Sequence, residues 1–345
     1  MLRTHVTTAA VLTLTLCASP GLAQRADDYL TLVREYAAGQ CGDAVMRLSR
    51  WSQGDVTKAA TAVTATLSSG DIAVAAMLHT ELANAIVDGD PFRAAFHVTR
   101  ARAYLGVWTA RPDGHERAAA FSRRWYEFVA SMFASAGRMQ EAAWYVHTGL
   151  LAFPGDSMLY VVRGTIPEMN TRIRFVPDLC EALPEDSKRL EQVEQGLKRA
   201  TNAYQQAVDA DDRNAVAWLH LGWINFYLED RRAKSRFDAA LARAGDDTVR
   251  YLAHLFLGGV AEREHQPADA LREYEAARLV GARYQTPYVA ISRIEESLGH
   301  ADRAREVAMQ AAQLRKDDGD DPWWDFRIVL DRPALIWLRA EARRR

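Results

Sequence analysis

Nine histidines and forty-five aspartates and glutamates are the groups in this sequence that could hold a metal or move a proton. His79, His97, His147, His220 and His254 fall within helical runs, and a lone helical histidine is more simply a packed or half-exposed residue than a catalyst. Adjacent carboxylates such as Glu295 and Glu296 point in different directions on a helix, so they form no acid–base pair. The run Asp317 to Asp321 suggests calcium. It lacks the alternating spacing and trailing glutamate of an EF-hand loop, and reads as a solvated loop before Pro322. No Cys-x-x-Cys, His-Glu-x-x-His, Gly-x-Ser-x-Gly or glycine-rich phosphate loop occurs. The expectation is no catalytic residue, no metal and no cofactor.

The elements that carry these side chains must come from a chain of 345 residues that is 49% hydrophobic and 26% charged, enough apolar residue for a sizeable core. Its 43 basic residues balance 45 acidic ones, which argues against neutralising nucleic-acid phosphates as its main task. Residues 1–23 have the three parts of a secretory signal: Arg3, an apolar run from Ala9 to Ala18, and small residues at Gly21 and Ala23. Leu16 stands directly before Cys17, which does not fit a lipoprotein site. The expected product is exported, periplasmic or secreted, with cleavage before Gln24 and no membrane span in the mature chain.

Self-comparison then finds a repeat. Trp218, Leu221 and Gly222 are followed by Ala233, Phe237 and Ala240. Ala270, Tyr274 and Ala277 repeat the same offsets after Gly258, and Ala304, Ala308 and Ala311 follow at the next step, 34 residues beyond Ala270. Ala142, Val146, Gly149 and Pro154 follow Tyr126, Val129, Ala130 and Phe133 in the same order. Ala200 with Tyr204, Ala94 with Val98, and Ala44 with Leu48 mark further second helices. Pro91 and Pro267 each stand three residues before their repeat's alanine, where a first-turn proline loses no hydrogen bond. Small residues sit where antiparallel backbones touch, and large ones fill the spaces between.

The pattern resembles the tetratricopeptide repeat, specifically over about 120–154 and 190–312 and more loosely over 27–105. The resemblance implies an all-α, right-handed α-solenoid of about six to seven helix pairs with a C-terminal capping helix. The expected layout is a signal at 1–23, degenerate repeats at 24–154, an irregular connection at 155–187, regular repeats at 188–316 and a cap at 317–345. Asp55 to Leu67 reads as an additional helix with Asp55 as its N-cap. Trp323, Trp324 and Trp337 read as the cap over the last repeat.

In such arrays an extended peptide or partner helix commonly lies along the face formed by first helices. Carried across residue by residue, that face comprises Glu127, Ser131, Trp223, Phe226, Tyr227, Glu262, Arg263, Arg293 and Glu296. Trp223 and Tyr227 would present one aromatic patch, and Arg263 and Arg293 would read carboxylates on a ligand. The expected function is non-catalytic protein or peptide binding by a scaffold. The alternatives are a solenoid that binds a small molecule or glycan, and an enzyme built on 155–187. Cys41 and Cys180 fall several repeats apart, which disfavours a disulfide between them. Neither the partner nor the oligomeric state is written in the residues.

Overall fold

The helices begin where side chains can take the place of missing backbone partners. Ser52, Ser68, Asp90, Asp156, Asn214 and Asp246 each accept a hydrogen bond from the backbone N–H three residues on. Pro91 and Pro267 occupy the first helical positions expected of them. Gly39, Gly137 and Gly299 end first helices at positive φ, where a side chain would be strained.

The computed structural model describes residues 20–171, 187–314, 321–323 and 331–344. Among these the secondary structure is helical, without strands. The α-helices are α1 (Pro20–Ala37), α2 (Cys41–Leu48), α3 (Gln53–Thr64), α4 (Ser69–Ile86), α5 (Pro91–Thr109), α6 (His115–Ser135), α7 (Met139–Ala152) and α8 (Ser157–Asn170). They continue with α9 (Ser187–Ala210), α10 (Ala215–Tyr227), α11 (Arg232–Arg243), α12 (Asp247–Arg263), α13 (Pro267–Val280), α14 (Thr286–Ser297), α15 (Ala301–Gln313) and α16 (Asp331–Arg343). None of the described helices is long and apolar enough to cross a membrane.

The chain divides into two compact units, one running to His115 and including the last residues from Ala342, the other Glu116–Glu341. This boundary differs from the expected break at 154/155. In the first unit α1 packs on α2, α3 and α4, and α4 packs along α5. The additional helix is α3, but its N-cap is Ser52. Asp55 instead stands in the first turn and receives the Ser52 hydroxyl. In the second unit the helices pair and stack in chain order, as an α-solenoid does: α8 with α9, α10 with α11, α12 with α13, and α14 with α15.

One joint recurs in three of these pairs. A Cβ at Gly222 would stand 2.5 Å from the Phe237 ring, one at Gly258 2.5 Å from the Tyr274 ring, and one at Gly164 2.6 Å from the Tyr204 ring. The glycine of each first helix is a seat for the aromatic residue of its second. Ala142, Ala233, Ala270 and Ala304 are buried on second helices, and Leu221 beside Gly222 is buried on α10. Trp218 is only partly buried, with the guanidinium groups of Arg236 and Arg243 over its ring.

Gly164 corrects the expected irregular stretch at 155–187. Ser157–Asn170 is helical and is the first helix of the pair completed by α9. Pro167 lies inside α8, where proline ordinarily costs about 3 kcal/mol. Burial of Leu159, Val162 and Ile166 on the same helix offsets that cost. The remainder of the expected connection, with Cys180, lies outside the described residues, so the Cys41–Cys180 pairing does too. Residues 1–19 of the expected signal and Trp324 of the expected cap are likewise outside them.

The C-terminal segment caps two places. Trp323 packs on Phe256 with ring centres 5.3 Å apart, against α12. Helix α16 instead lies on α6, with Trp337 6.4 Å from Phe121 and Arg117 bonded to Glu341 at 2.5 Å. Trp337 therefore does not cover the last pair. Asp321 also departs from the solvated loop expected of it. It is buried, 8% exposed, and accepts from the Tyr251 and Thr286 hydroxyls and from the Trp323 backbone.

Candidate functional site

Most residues expected on an open binding face are used inside the array. Trp223 and Tyr227 do meet, with ring centres 6.0 Å apart, but Trp223 is only 2% exposed and Phe226 is also buried. They are core, because Trp223 also packs on Phe256 of the next pair at 5.9 Å. Arg263 lies 3.6 Å over the Phe226 ring and donates to the Phe226 carbonyl, tying α12 to α10. Arg293 donates to both oxygens of Glu262 at 2.7 Å, tying α14 to α12. This ion pair lines a cleft of about 390 Å³ with His265, Gln266 and Ser297. Glu296 is exposed on α14. Ser131 is buried on α6, its carbonyl accepting the Ser135 hydroxyl.

Glu127 is the expected site residue that opens on a larger cavity. It lines a cleft of about 550 Å³ between α6, the α7–α8 turn, the end of α9 and α16. Arg123 and Arg124 stand on the α6 wall, Phe153 and Asp156 on the turn, Asp211 after α9, and Trp337 on α16. Arg124 donates to Glu127 Oε2 at 2.6 Å. Arg123 reaches Asp156 at 3.3 Å and lies 5.5 Å over the Phe153 ring. Glu127 is only 5% exposed, and burial raises its pKa to about 7 despite Arg124, with the charge of Asp156 adding to the rise. Asp156 and Asp211 carried no distinguishing pattern; Asp156 looks in sequence like any other N-cap.

Two buried polar clusters could carry proton chemistry if a ligand reached them. In the first unit the Tyr104 hydroxyl donates to the Tyr29 oxygen at 2.9 Å, and Tyr29 meets His79 Nε2 at 2.9 Å. His79 Nδ1 meets His97 Nδ1 at 2.8 Å. Because Tyr29 accepts from Tyr104, its own proton goes to His79, which leaves neutral His79 with its proton on Nδ1 to give to His97. Burial holds His79 well below the usual imidazole range and lowers His97 to about 4, so neither is charged at neutral pH. In the second unit Glu168 accepts from Tyr204 at 2.5 Å and pairs with His220 at 2.9 Å. Tyr204 and His220 stack with centres 4.7 Å apart.

Both clusters are closed to solvent, with Tyr29, His79 and His97 at most 1% exposed. Glu168 and His220 are each 1% exposed. The cleft of about 500 Å³ nearby is lined by His147, Arg163, Asn170 and Arg199 among others, and not by Glu168, Tyr204 or His220. These groups act as hydrogen-bonded fastenings between helices. Of the histidines set aside in the sequence, His79, His97 and His220 are packed residues with polar partners that only the fold brings together, His254 is partly buried beside Glu273, and His147 is exposed.

No known family model matches the chain, and no curated protein matches it. Solved structures similar to it include PilF of Pseudomonas aeruginosa, at 15% identity over 64% of this chain and 90% of that chain, with a TM-score of 0.47. MamA is similar at 20% identity over 54% of this chain and 93% of that one, with a TM-score of 0.40. YrrB, described as a TPR protein with an unusual peptide-binding site, is similar at 15% identity, 56% and 87% coverage and a TM-score of 0.38. On its own repeat spacing and its recurring ring-on-glycine joints, the chain is a tetratricopeptide-like helix-pair protein.

Proposed function

We propose that the chain is a non-catalytic scaffold that binds a protein or peptide segment through the clefts of its second unit. The observation that carries this reading is the cleft around Glu127, which combines charged side chains of both signs with the apolar surfaces of Phe153, Met158 and Trp337. A peptide offers that combination, since it brings apolar and charged side chains a few ångströms apart. The sealed state of the Glu168 and His79 clusters supports a role without chemistry.

The site of action in this reading is the periplasm or the outside of the cell. It rests on the signal-like pattern of residues 1–23. Helix α1 begins at Pro20 and its first buried side chain is Tyr29, so cleavage before Gln24 would remove no described core residue.

The test is a photo-crosslinking amino acid placed at Met158 in the Glu127 cleft, at Ser297 in the Glu262 cleft, and at exposed Met309 as control. Irradiation in cells of the source organism is expected to give discrete adducts from a cleft position and none from Met309. The same adducts from all three positions, or none from either cleft, would sink the reading.

A further inference from the structure

The pairing of the charged groups in the Glu127 cleft leaves one carboxylate oxygen open, and that oxygen points to the chemistry of the occupant. Three carboxylates line it, from Glu127 on α6, Asp156 on the α7–α8 turn and Asp211 after α9, with Arg123 and Arg124 on α6, and Arg213 pairs with Asp211 at 3.6 Å. Helix α16 adds the Trp337 ring and no charge to the lining. Arg123 is engaged with Asp156 and Phe153, and Arg124 with Glu127 Oε2. Glu127 Oε1 takes no hydrogen bond among the described residues, although the side chain is nearly buried. A carboxylate sunk in a wall with one oxygen unused is a receptor for a donor.

The aromatic surface agrees. Arg123 already lies over Phe153 on one side of the cleft. Trp337 is 36% exposed, touches Phe121, and has no cation over it among the described residues. An alkyl stem ending in a cation would lie on that ring while its head met the open oxygen.

We propose that the cleft takes a basic side chain of a partner peptide, an arginine or lysine whose charge meets Glu127 Oε1 and whose stem lies on Trp337. This rests on the peptide-binding reading above and adds the ligand's sign. Docking of the cation favours the ionised form of Glu127. Because that carboxyl sits at about 7, uptake at neutral pH expels a proton and affinity rises with pH until Glu127 is fully ionised.

The experiment is titration calorimetry on the full chain with the probe acetyl-Gly-Leu-Arg-Leu-Gly-amide, its citrulline twin, and free agmatine. It is run at pH 6 and pH 8 in buffers of different ionisation enthalpy. The arginine probe is expected to bind at least about tenfold more tightly than the citrulline probe at pH 8, and about tenfold more tightly at pH 8 than at pH 6, with measurable proton release. Glu127→Gln, which keeps size and shape, is expected to weaken binding at pH 8 and flatten its pH dependence. Trp337→Ala weakens it at both pH values and leaves the slope. Equal binding of the arginine and citrulline probes, or a slope that survives Glu127→Gln, overturns the inference while peptide binding itself stands. Agmatine binding as tightly as the peptide overturns the peptide source of the cation. Failure of every probe, with adducts still forming at Met158, overturns the basic ligand and leaves the scaffold reading intact.

Discussion

The Tyr251 hydroxyl donates to the carboxylate of Asp321, seventy residues later in the chain, at 2.8 Å. That bond fastens the short stretch carrying Trp323 to the array, and Thr286 shares the same carboxylate from α14. The buried carboxylate and its donors hold Trp323 against Phe256.

Tyr251→Phe removes one hydrogen bond to a charged acceptor and is expected to cost about 2 kcal/mol. Asp321→Ala leaves several donors unanswered and is expected to cost more. Urea unfolding of the full chain, followed through the second unit, measures both. An unchanged midpoint for Asp321→Ala would show that the carboxylate fastens nothing.

Gly222→Ala and Gly258→Ala each drive a Cβ to within 2.5 Å of a ring, which must shift. The expected cost is about 1–3 kcal/mol each. At Gly106, within α5, nothing lies within 4 Å of the added carbon, so Gly106→Ala is expected to stabilise by about 1 kcal/mol. Thermal unfolding of the three variants checks the contrast. Combining Gly222→Ala with Phe237→Leu should recover part of the loss, since the smaller side chain vacates the seat.

The histidine chain gives the first unit an acid limit. His79 and His97 are neutral when folded and gain protons below about 6.5 when unfolded. The contribution of His97 is whole above pH 6.5 and is lost as pH falls towards 4, and that of His79 is lost in the same direction. For His97 alone the loss is on the order of 3 kcal/mol. Hydrogen exchange, corrected for intrinsic rates, should show α4 and α5 losing protection across this range. His97→Gln keeps an acceptor for His79 and should flatten that loss. Equal protection in the variant and the wild type at every pH would refute the assignment.

Glu127 has the opposite sign. Its folded pKa of about 7 exceeds the ordinary 4.5, so ionisation works against folding as pH rises between these values. Glu127→Gln is therefore expected to be close to neutral at pH 5 and stabilising at pH 8, by up to about 3 kcal/mol. Chemical denaturation at the two pH values measures the difference.

What sequence reading caught and missed follows from where each property is decided. The alanine series marked second helices well, because a small residue at a helix crossing is required by contacts of near-fixed spacing. The α8–α9 pair escaped as a pair. Pro167 interrupts the expected pattern, and Tyr204 lies forty residues from the Gly164 seat it fills. Trp223 passed for an open aromatic because ring type does not distinguish a groove from a core. His97, Glu168 and Asp321 were illegible for a similar reason: burial of a polar group is set by partners from distant segments, and none has a local motif. Glu127 was identified by carry-over from the repeat family, but the cleft that gives it a raised pKa needed Asp156 and the surrounding turn.

The Glu168 carboxylate has a consequence for how the second unit comes apart. It sits on α8 and holds one partner on α9 and another on α10, so it belongs to two successive pairs at once. In an array whose pairs meet only their neighbours, each boundary is a place where unfolding can halt. A boundary stapled by a sealed carboxylate is a poor place to halt, since opening it breaks the hydrogen bond between Glu168 and His220. The α8–α9 and α10–α11 pairs should therefore melt as a single foldon, and fraying that begins at α15 should stop at the far side of α12 before it crosses into them.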